Sequence, residues 1–312
     1  MVLMKHIYQT HFRIMDGKFF LDTLAQISQT KAPAIDDLQK IWIRVMEIFL
    51  DEPNVIQLNN FPCIIVSDTH GYFKDLLNIF KKFGMPPDTN YVFLGDYIDR
   101  GPESFFVLAY LFTLKALYPK NIYLIRGNHE DPIRNISFKE ECARYYKNFA
   151  DFDLIASIFR YIPLCVLLDS KIMCIHAGIS PYNKTIENIN CFDRLSLEDT
   201  YIQELWNDPN ENDGYWEPNL SRKTGCKYSE LPFLSFMERN KLSLMIRGHQ
   251  TASEGYRIHF QGHLLTLCST PSMKKVEKGA VFKYELKSEC SIISFDVELN
   301  CLPIPFIVHP VE

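Results

Sequence analysis

The chain is 312 residues long, 47% apolar and 13% aromatic, which supplies a globular core and excludes a disordered chain. With 33 basic against 38 acidic side chains, a net charge of −5 and a pI near 6.0, it lacks the basic surplus that draws nucleic acid or an anionic membrane. Nine cysteines without a Cys-x-x-Cys pair argue against a disulfide framework or zinc knuckle and for reduced thiols in the cytoplasm or nucleus. The opening residues lack an apolar run followed by a small-residue cleavage site, so no secretory signal is expected, and no apolar run reaches the length of a membrane span.

Residues 1–60 read as a helical segment. Phe19, Leu21, Leu24 and Ile27 recur at helical spacing, as do Leu38, Ile41, Val45, Ile48 and Phe49, and Asp51-Glu52-Pro53-Asn54 ends the second helix. The region 61–285 follows as the core. Three short apolar runs, 63–66, 91–94 and 121–125, end in Ser67-Asp68-Thr69-His70-Gly71, Gly95-Asp96-Tyr97-Ile98-Asp99-Arg100-Gly101 and Arg126-Gly127-Asn128-His129-Glu130. Helix-length segments at 72–83 and 102–118 separate them, the pattern of buried parallel strands with crossover helices. The carboxyl ends of such strands face one crevice, so Asp68, His70, Asp96, Asn128 and His129 are expected to converge.

Residues 135–160 alternate charge with Phe138, Tyr145, Tyr146, Phe149 and Phe152, which suits helices covering a sheet face. Runs 163–168 and 171–175 flank an Asp169-Ser170 hairpin turn, and the second ends in His176-Ala177-Gly178-Ile179-Ser180-Pro181. From 182 to 228 the chain is polar and turn-rich, and a loop of that length usually serves a function. A helix is expected at 228–240, then a strand at 242–246 ending in Arg247-Gly248-His249-Gln250. The runs 255–260, 263–269, 280–285 and 290–297 read as short strands of an antiparallel sheet packed against the first sheet. His259 and His263 flank a hairpin turn and read as surface residues. No repeat or linker divides the chain, so one catalytic domain over 1–312 is expected, with 286–312 as a C-terminal strand and tail.

Asp, His and Asn at strand ends suit borderline divalent metals such as Mn²⁺, Fe²⁺ or Zn²⁺ better than Ca²⁺, which prefers oxygen ligands alone. A carboxylate such as Asp96 can bridge two cations. Two metals roughly 3.5–4 Å apart lower the pKa of a bound water and clamp both oxygens of an in-line phosphoryl displacement. Taken singly, His176 reads more naturally as a hydrogen-bonded core histidine, and the neighbouring motifs reverse that reading.

Five ordered motifs, the three above with His-Ala-Gly-Ile-Ser-Pro and Arg-Gly-His-Gln, make the chain resemble the phosphoprotein phosphatase family of Ser/Thr protein phosphatases. The likeness is greatest in layout to the type 1 and type 2A catalytic subunits and runs from about residue 40 to about 285. It includes Leu205-Trp206-Asn207-Asp208-Pro209 and Leu264-Leu265-Thr266-Leu267. The resemblance implies an α/β fold, a calcineurin-like metallophosphoesterase β-sandwich flanked by helices. It implies Asp68, His70 and Asp96 on a first metal and Asp96, Asn128, His176 and His249 on a second, with Mn²⁺ as the expected ion and Fe or Zn as alternatives. His129 would be the general acid, Asp99 its orienting partner, and Arg100, Asn128 and Arg222 the substrate-binding groups, with Arg100 and Arg222 gripping the phosphate. Phosphorylated proteins would be the substrates and regulatory or targeting subunits the partners, hydrolysis proceeding by in-line attack of a hydroxide that bridges the metals.

The chain departs from that family at Ser67 and Ala177, where glycines are usual, and more sharply at Ser269-Thr270-Pro271-Ser272-Met273-Lys274-Lys275. Close relatives carry Ser-Ala-Pro-Asn-Tyr-Cys in that overhanging loop, and the two added lysines are expected to favour acidic phosphopeptides. Two other functions fit less well: hydrolysis of dinucleoside polyphosphates or another small phosphoester, and a decayed phosphate-binding adaptor. The complete ligand set, with His129 and Asp99 retained, argues against the adaptor.

Overall fold

The computed structural model describes residues 15–59, 61–131, 136–146, 149–194, 203–212, 214–285 and 289–309. In chain order they form α1 (Gly17–Ser28), α2 (Ile35–Asp51), β1 (Val55–Leu58), β2 (Cys63–Val66), α3 (Phe73–Phe83), β3 (Asn90–Phe93), α4 (Ser104–Leu117) and β4 (Ile122–Leu124). Next come α5 (Ile136–Tyr145), α6 (Phe149–Phe159), β5 (Cys165–Leu168), β6 (Ile172–Ile175), α7 (Ile186–Asn190), β7 (Asp208–Pro209), β8 (Trp216–Pro218) and β9 (Cys226–Tyr228). The remainder is α8 (Glu230–Arg239), β10 (Leu244–Arg247), β11 (Tyr256–His259), β12 (Leu264–Leu267), β13 (Gly279–Tyr284), β14 (Cys290–Phe295) and β15 (Cys301–Phe306).

Two six-stranded sheets face one another, ordered β1-β5-β6-β10-β12-β11 and β15-β14-β13-β2-β3-β4. Strand β2 shows how a fully apolar run is used on both sides. Ile64 and Val66 face the helices α1 to α6, whereas Cys63 and Ile65 face the other sheet, as the two-residue period of a strand requires. Helix α4 is apolar all round and buried along its length, packed among α1, α2, α3, α5 and β4. The opposite sheet is covered on its outer face by α8 and the region around Leu205 and Tyr228, through Phe233, Phe236 and Met237.

The parallel strands β2, β3 and β4 and their crossover helices lie where the apolar runs place them. β5 pairs antiparallel with β6 through a hairpin in which Asp169 and Ser170 have left-handed φ of 50° and 54°, and because Leu168 pairs with Ile172 the connection is three residues, Lys171 included, rather than the expected two. Asp51 is the last residue of α2, as its sequence context predicts. In α1 the buried stripe is Phe20, Thr23, Leu24 and Ile27, while Leu21 is 53% exposed, so the apolar face is rotated from the expected one. The segment 182–228 is less irregular than expected, since it folds into α7 and a small sheet of β7, β9 and β8. Its residues 195–202 lie outside the described residues, as do the side chains of Phe149 and Phe152.

The expectation of a separate antiparallel sheet after residue 255 is corrected. Strands β11 and β12 join the sheet of β10, and β13 adds antiparallel to β2, so that β13, β14 and β15 extend the first sheet and make it mixed. Ala280 and Phe282 thereby enter the space between the sheets, and β2 acquires a partner on its open edge. Two further strands escape sequence patterning. β1 is four residues between a helix end and a loop, and β15 contains Pro303 and Pro305, which only an edge strand accommodates.

Candidate active site

The site lies where the carboxyl ends of strands from both sheets meet. Asp68 and His70 follow β2, Asp96 follows β3, and Asn128 and His129 follow β4, while His176 follows β6 and His249 follows β10. The loops press together backbone to backbone. A Cβ on Gly127 would lie 2.3 Å from the Asp96 nitrogen, and one on Gly248 would lie 2.2 Å from Asp68 Oδ1, so both motifs need glycine there. His70, Asp96, Asp99, Arg100 and His249 all have φ between 40° and 69°. A left-handed backbone at five functional positions is the local strain that a packed scaffold sustains at a working site.

Each side chain is aimed by hydrogen bonds outside the cluster. His70 Nδ1 meets the Ile98 carbonyl at 2.8 Å and His176 Nδ1 the Leu94 carbonyl at 2.7 Å, so in the neutral rings each Nδ1 donates and each Nε2 presents a lone pair inward. His176 Nε2 lies 2.9 Å from Asn128 Oδ1, 3.1 Å from His249 Nδ1 and 3.4 Å from Asp96 Oδ1. His70 Nε2 lies 3.4 Å from Asp96 Oδ2 and 3.7 Å from Asp68 Oδ2. The His249 amide donates to Asp68 Oδ1 at 3.0 Å and ties the two sheets together at this point. Burial lowers the imidazole pKa of His70, and burial followed by the charge of His176 lowers that of His249, which keeps their lone pairs available. Burial acts against ionisation of Asp96, but the surrounding His176, His129 and His70 outweigh it and hold the carboxyl well below its usual range.

This donor set fits divalent cations. Lone pairs face lone pairs, and the buried His70 Nε2, Asp96 Oδ2 and His249 Nε2 have no hydrogen-bond partner. Orphaned buried acceptors are costly unless a ligand completes them. Asp96 joins two groups whose donor atoms lie within 4.8 Å of one another, His70-Asp96-His129 and Asp96-His176-His249. His129 differs from the rest, because both of its ring nitrogens meet groups outside the candidate ligand set: Nδ1 meets Asp99 Oδ2 at 2.7 Å and Nε2 meets Arg100 Nη2 at 3.3 Å. Burial lowers the pKa of His129, but the Asp96 charge and the Asp99 hydrogen bond reverse this and raise it to about 8.

Glu130 supports the cluster from beneath. Its carboxylate accepts from the Asp96, Tyr97 and Gly127 amides at 2.7, 2.8 and 2.9 Å, which sets the turn that carries Asp96. Burial, then the Asp96 charge, raise its pKa to about 8. Ser67 donates to Asp68 Oδ1 at 2.7 Å, so the residue standing in place of the family's glycine aligns a candidate ligand.

Arg222 lies at the cavity with Asp68, Arg100 and His249. Its guanidinium bonds Asp208 Oδ2 at 2.5 Å and the His249 carbonyl at 3.1 Å. Asp208 also accepts from Arg247 at 3.0 Å and Asn219 at 2.9 Å, so it positions Arg222, a task its place in the Leu-Trp-Asn-Asp-Pro stretch signalled only as likeness. Ser137, which no motif marks, donates to Asp99 Oδ1. His259 is corrected from surface to buried, with Nε2 3.1 Å from Thr266 Oγ1, and His263 is half-buried against the Ser243 carbonyl. Met273 is buried against the same cavity, while Lys274 and Lys275 are exposed.

Strand-end carboxylates and imidazoles crowded around unsatisfied donor atoms, on a two-sheet sandwich, are the site of a metallophosphoesterase. Residues 61–252 match the family model of the calcineurin-like phosphoesterases, and the chain belongs to that family. Among solved structures it is similar to a protein serine/threonine phosphatase from Saccharomyces cerevisiae that is itself described as similar to human phosphatase PP5. Sequence identity is 27% and the TM-score 0.83, over 90% of this chain and 96% of that one. It also resembles a cold-active protein tyrosine phosphatase at 17% identity and TM-score 0.59, over 82% of each chain. The cold-active protein tyrosine phosphatase of a psychrophilic Shewanella species matches at 16% identity and TM-score 0.59, over 83% of this chain and 84% of that one. At those identities the last two likenesses speak for the fold alone. Among the described residues no helix is long and apolar enough to cross a membrane.

Proposed function

We propose that this phosphatase acts on phosphoserine and phosphothreonine in proteins. The observation that carries the reading is His129, held by Asp99 and set against Arg100 at the edge of the acceptor cluster. The likeness to the yeast serine/threonine phosphatase supports it. Asp68, His70 and Asp96 would hold one divalent cation and Asp96, Asn128, His176 and His249 a second, with Mn²⁺, Fe or Zn suited to mixed nitrogen and oxygen donors. Such a pair, when bound, activates water and neutralises the phosphoryl oxygens.

The chain's own residues do the rest. Arg100 and Arg222 present planar donor sets to the phosphate, and Asn128 adds its amide to their grip. A phosphate that engages Arg100 draws the guanidinium away from His129 Nε2. The imidazole then binds a proton at that nitrogen, because Asp99 accepts from Nδ1 and favours the charged ring. The proton passes to the leaving serine or threonine oxygen, an alkoxide too basic to depart unaided. Activity toward a phosphothreonine peptide, a dinucleoside polyphosphate and an aryl phosphate is the test. Turnover of the peptide above the dinucleotide is expected, and the reverse ranking would assign the site to small phosphoesters.

A further inference from the structure

The cavity lined by Asp68, Arg100, Arg222 and His249 is also lined by Arg257 and His259. These two residues are two apart on the edge strand β11 and so share a face. Three arginines and a single carboxylate therefore border one space. A lone phosphate dianion needs only the groups beside the acceptor cluster, which leaves Arg257 without a task in the reaction.

Arg257 is engaged, but loosely. Its Nη2 meets Glu211 Oε1 at 2.5 Å, and both side chains are 59% exposed, the setting in which water and salt leave an ion pair little net worth. The same Glu211 oxygen stands 3.4 Å from Nδ1 of His259, whose side chain is 4% exposed and whose Nε2 meets Thr266 Oγ1 at 3.1 Å. Burial, then the charges of Arg247 and Arg257, lower the His259 pKa to about 4, so the ring is neutral and serves an anion through an Nδ1–H when Nε2 accepts from Thr266. A buried ring nitrogen whose partner is an exposed, exchangeable carboxylate marks a place where another anion can sit. We infer that Arg257, backed by His259, forms an anion subsite for a carboxylate or second phosphate on the same peptide as the scissile phosphoresidue, with Glu211 holding the place until that anion displaces it.

The inference rests on the phosphopeptide reading and moves the source of acid preference from the exposed Lys274 and Lys275 to the cavity wall. The test uses fluorescently labelled peptides carrying a non-hydrolysable phosphonate analogue of phosphothreonine, flanked by neutral residues, by glutamates or by a second phosphothreonine. Affinities are read by anisotropy with the metal-loaded protein. At low salt the anionic peptides should bind roughly two- to fivefold tighter than the neutral one, the gain expected of one solvent-exposed charge pair. Arg257→Glu should abolish that gain, Arg257→Lys should keep most of it, and Lys274→Ala with Lys275→Ala should leave it in place; thermal melts show that each variant is folded. A larger gain for the second phosphate than for glutamate assigns the subsite to phosphate, and equal gains assign it to any anion. Equal affinity for neutral and anionic peptides, or a preference that survives Arg257→Glu, overturns the subsite. Hydrolysis of a neutral phosphothreonine peptide is measured separately. Its failure removes the protein-phosphatase reading, whereas its success beside equal affinities removes the subsite alone.

Discussion

His129 shows how a side chain's neighbours set its task. It sits within reach of the same carboxylate as the candidate ligands, yet Asp99 and Arg100 meet both its nitrogens, which supports the proposed role in proton transfer over one in metal binding. His129→Asn should retain bound metal and lower turnover of a phosphoserine peptide by roughly 10²–10⁴-fold. An aryl phosphate leaves with little protonation and should lose far less. An equal loss on both substrates would take His129 out of the acid role. The residues around it differ in how well the sequence announces them. Asp68, His70, Asp96, Asn128, His176 and His249 stand one to four residues past strand ends, whereas Ser137, Asp208 and Arg257 come from a helix, a small sheet and an edge strand with no local pattern of chemistry.

Among the elements, α4 depends on a buried charge. Lys115 is fully buried near its end, with Nζ 2.5 Å from Glu52 Oε1, 2.9 Å from the Ile122 carbonyl and 3.2 Å from the Pro119 carbonyl. It joins α4 to the end of α2 and to β4. Lys115→Met leaves Glu52 without that partner and should cost about 3–5 kcal/mol, with much of the loss recovered in the Lys115→Met/Glu52→Leu double variant. Chemical denaturation reads both, and an additive double variant would show that the two groups do not depend on each other.

Glu204, beside β6 and α7, tests burial in another way. Its carboxyl accepts from Asn183 at 2.8 Å, and burial raises its pKa from 4.5 to about 8. The folded state thus holds a proton that the unfolded chain releases near pH 4.5. The linked stability is full below pH 4.5 and is lost as pH climbs to about 8. Glu204→Gln removes this dependence, so its melting temperature relative to wild type should rise between those pH values. A difference that is flat in pH would show that Glu204 is ionised in the fold.

For the molecule as a whole, the acceptor cluster couples metal to stability. Six side chains from two sheets converge, and His70 Nε2, Asp96 Oδ2 and His249 Nε2 among them lack partners, so cations that bind only the folded state should raise its stability, by about 2.7 kcal/mol at a concentration one hundred times the dissociation constant. Chelation should abolish turnover and lower the melting temperature by several degrees, with Mn²⁺ restoring both. Asp96→Asn should blunt the thermal response, because the shared carboxylate loses its charge. A melting temperature indifferent to chelator and to Mn²⁺ would contradict this reading of the cluster.

Outside 182–228 and the final strand β15, the order of strands, helices and motifs from residue 61 onward was legible without coordinates, because the period of apolar residues sets local structure and the polar motifs begin where each run stops. The Asp169-Ser170 hairpin, the all-round apolar α4 and the convergence of Asp68, Asp96 and Asn128 all follow from neighbours in the chain. Pairing between distant strands does not. That β13 adds to β2 while β12 adds to β10 depends on which open edge each meets after the sheets have formed, and the alternation of Ala280, Phe282 and Tyr284 suits either sheet equally. The same holds for His259. Two residues beside a turn look exposed in any sequence, and it is the packing of β11 along β12, with Thr266 opposite Arg257, that buries one of them at the wall of the active-site cavity. Local periodicity is a property of consecutive residues, whereas burial of a side chain beside a turn depends on partners far away in the chain, which only the assembled sheets bring near.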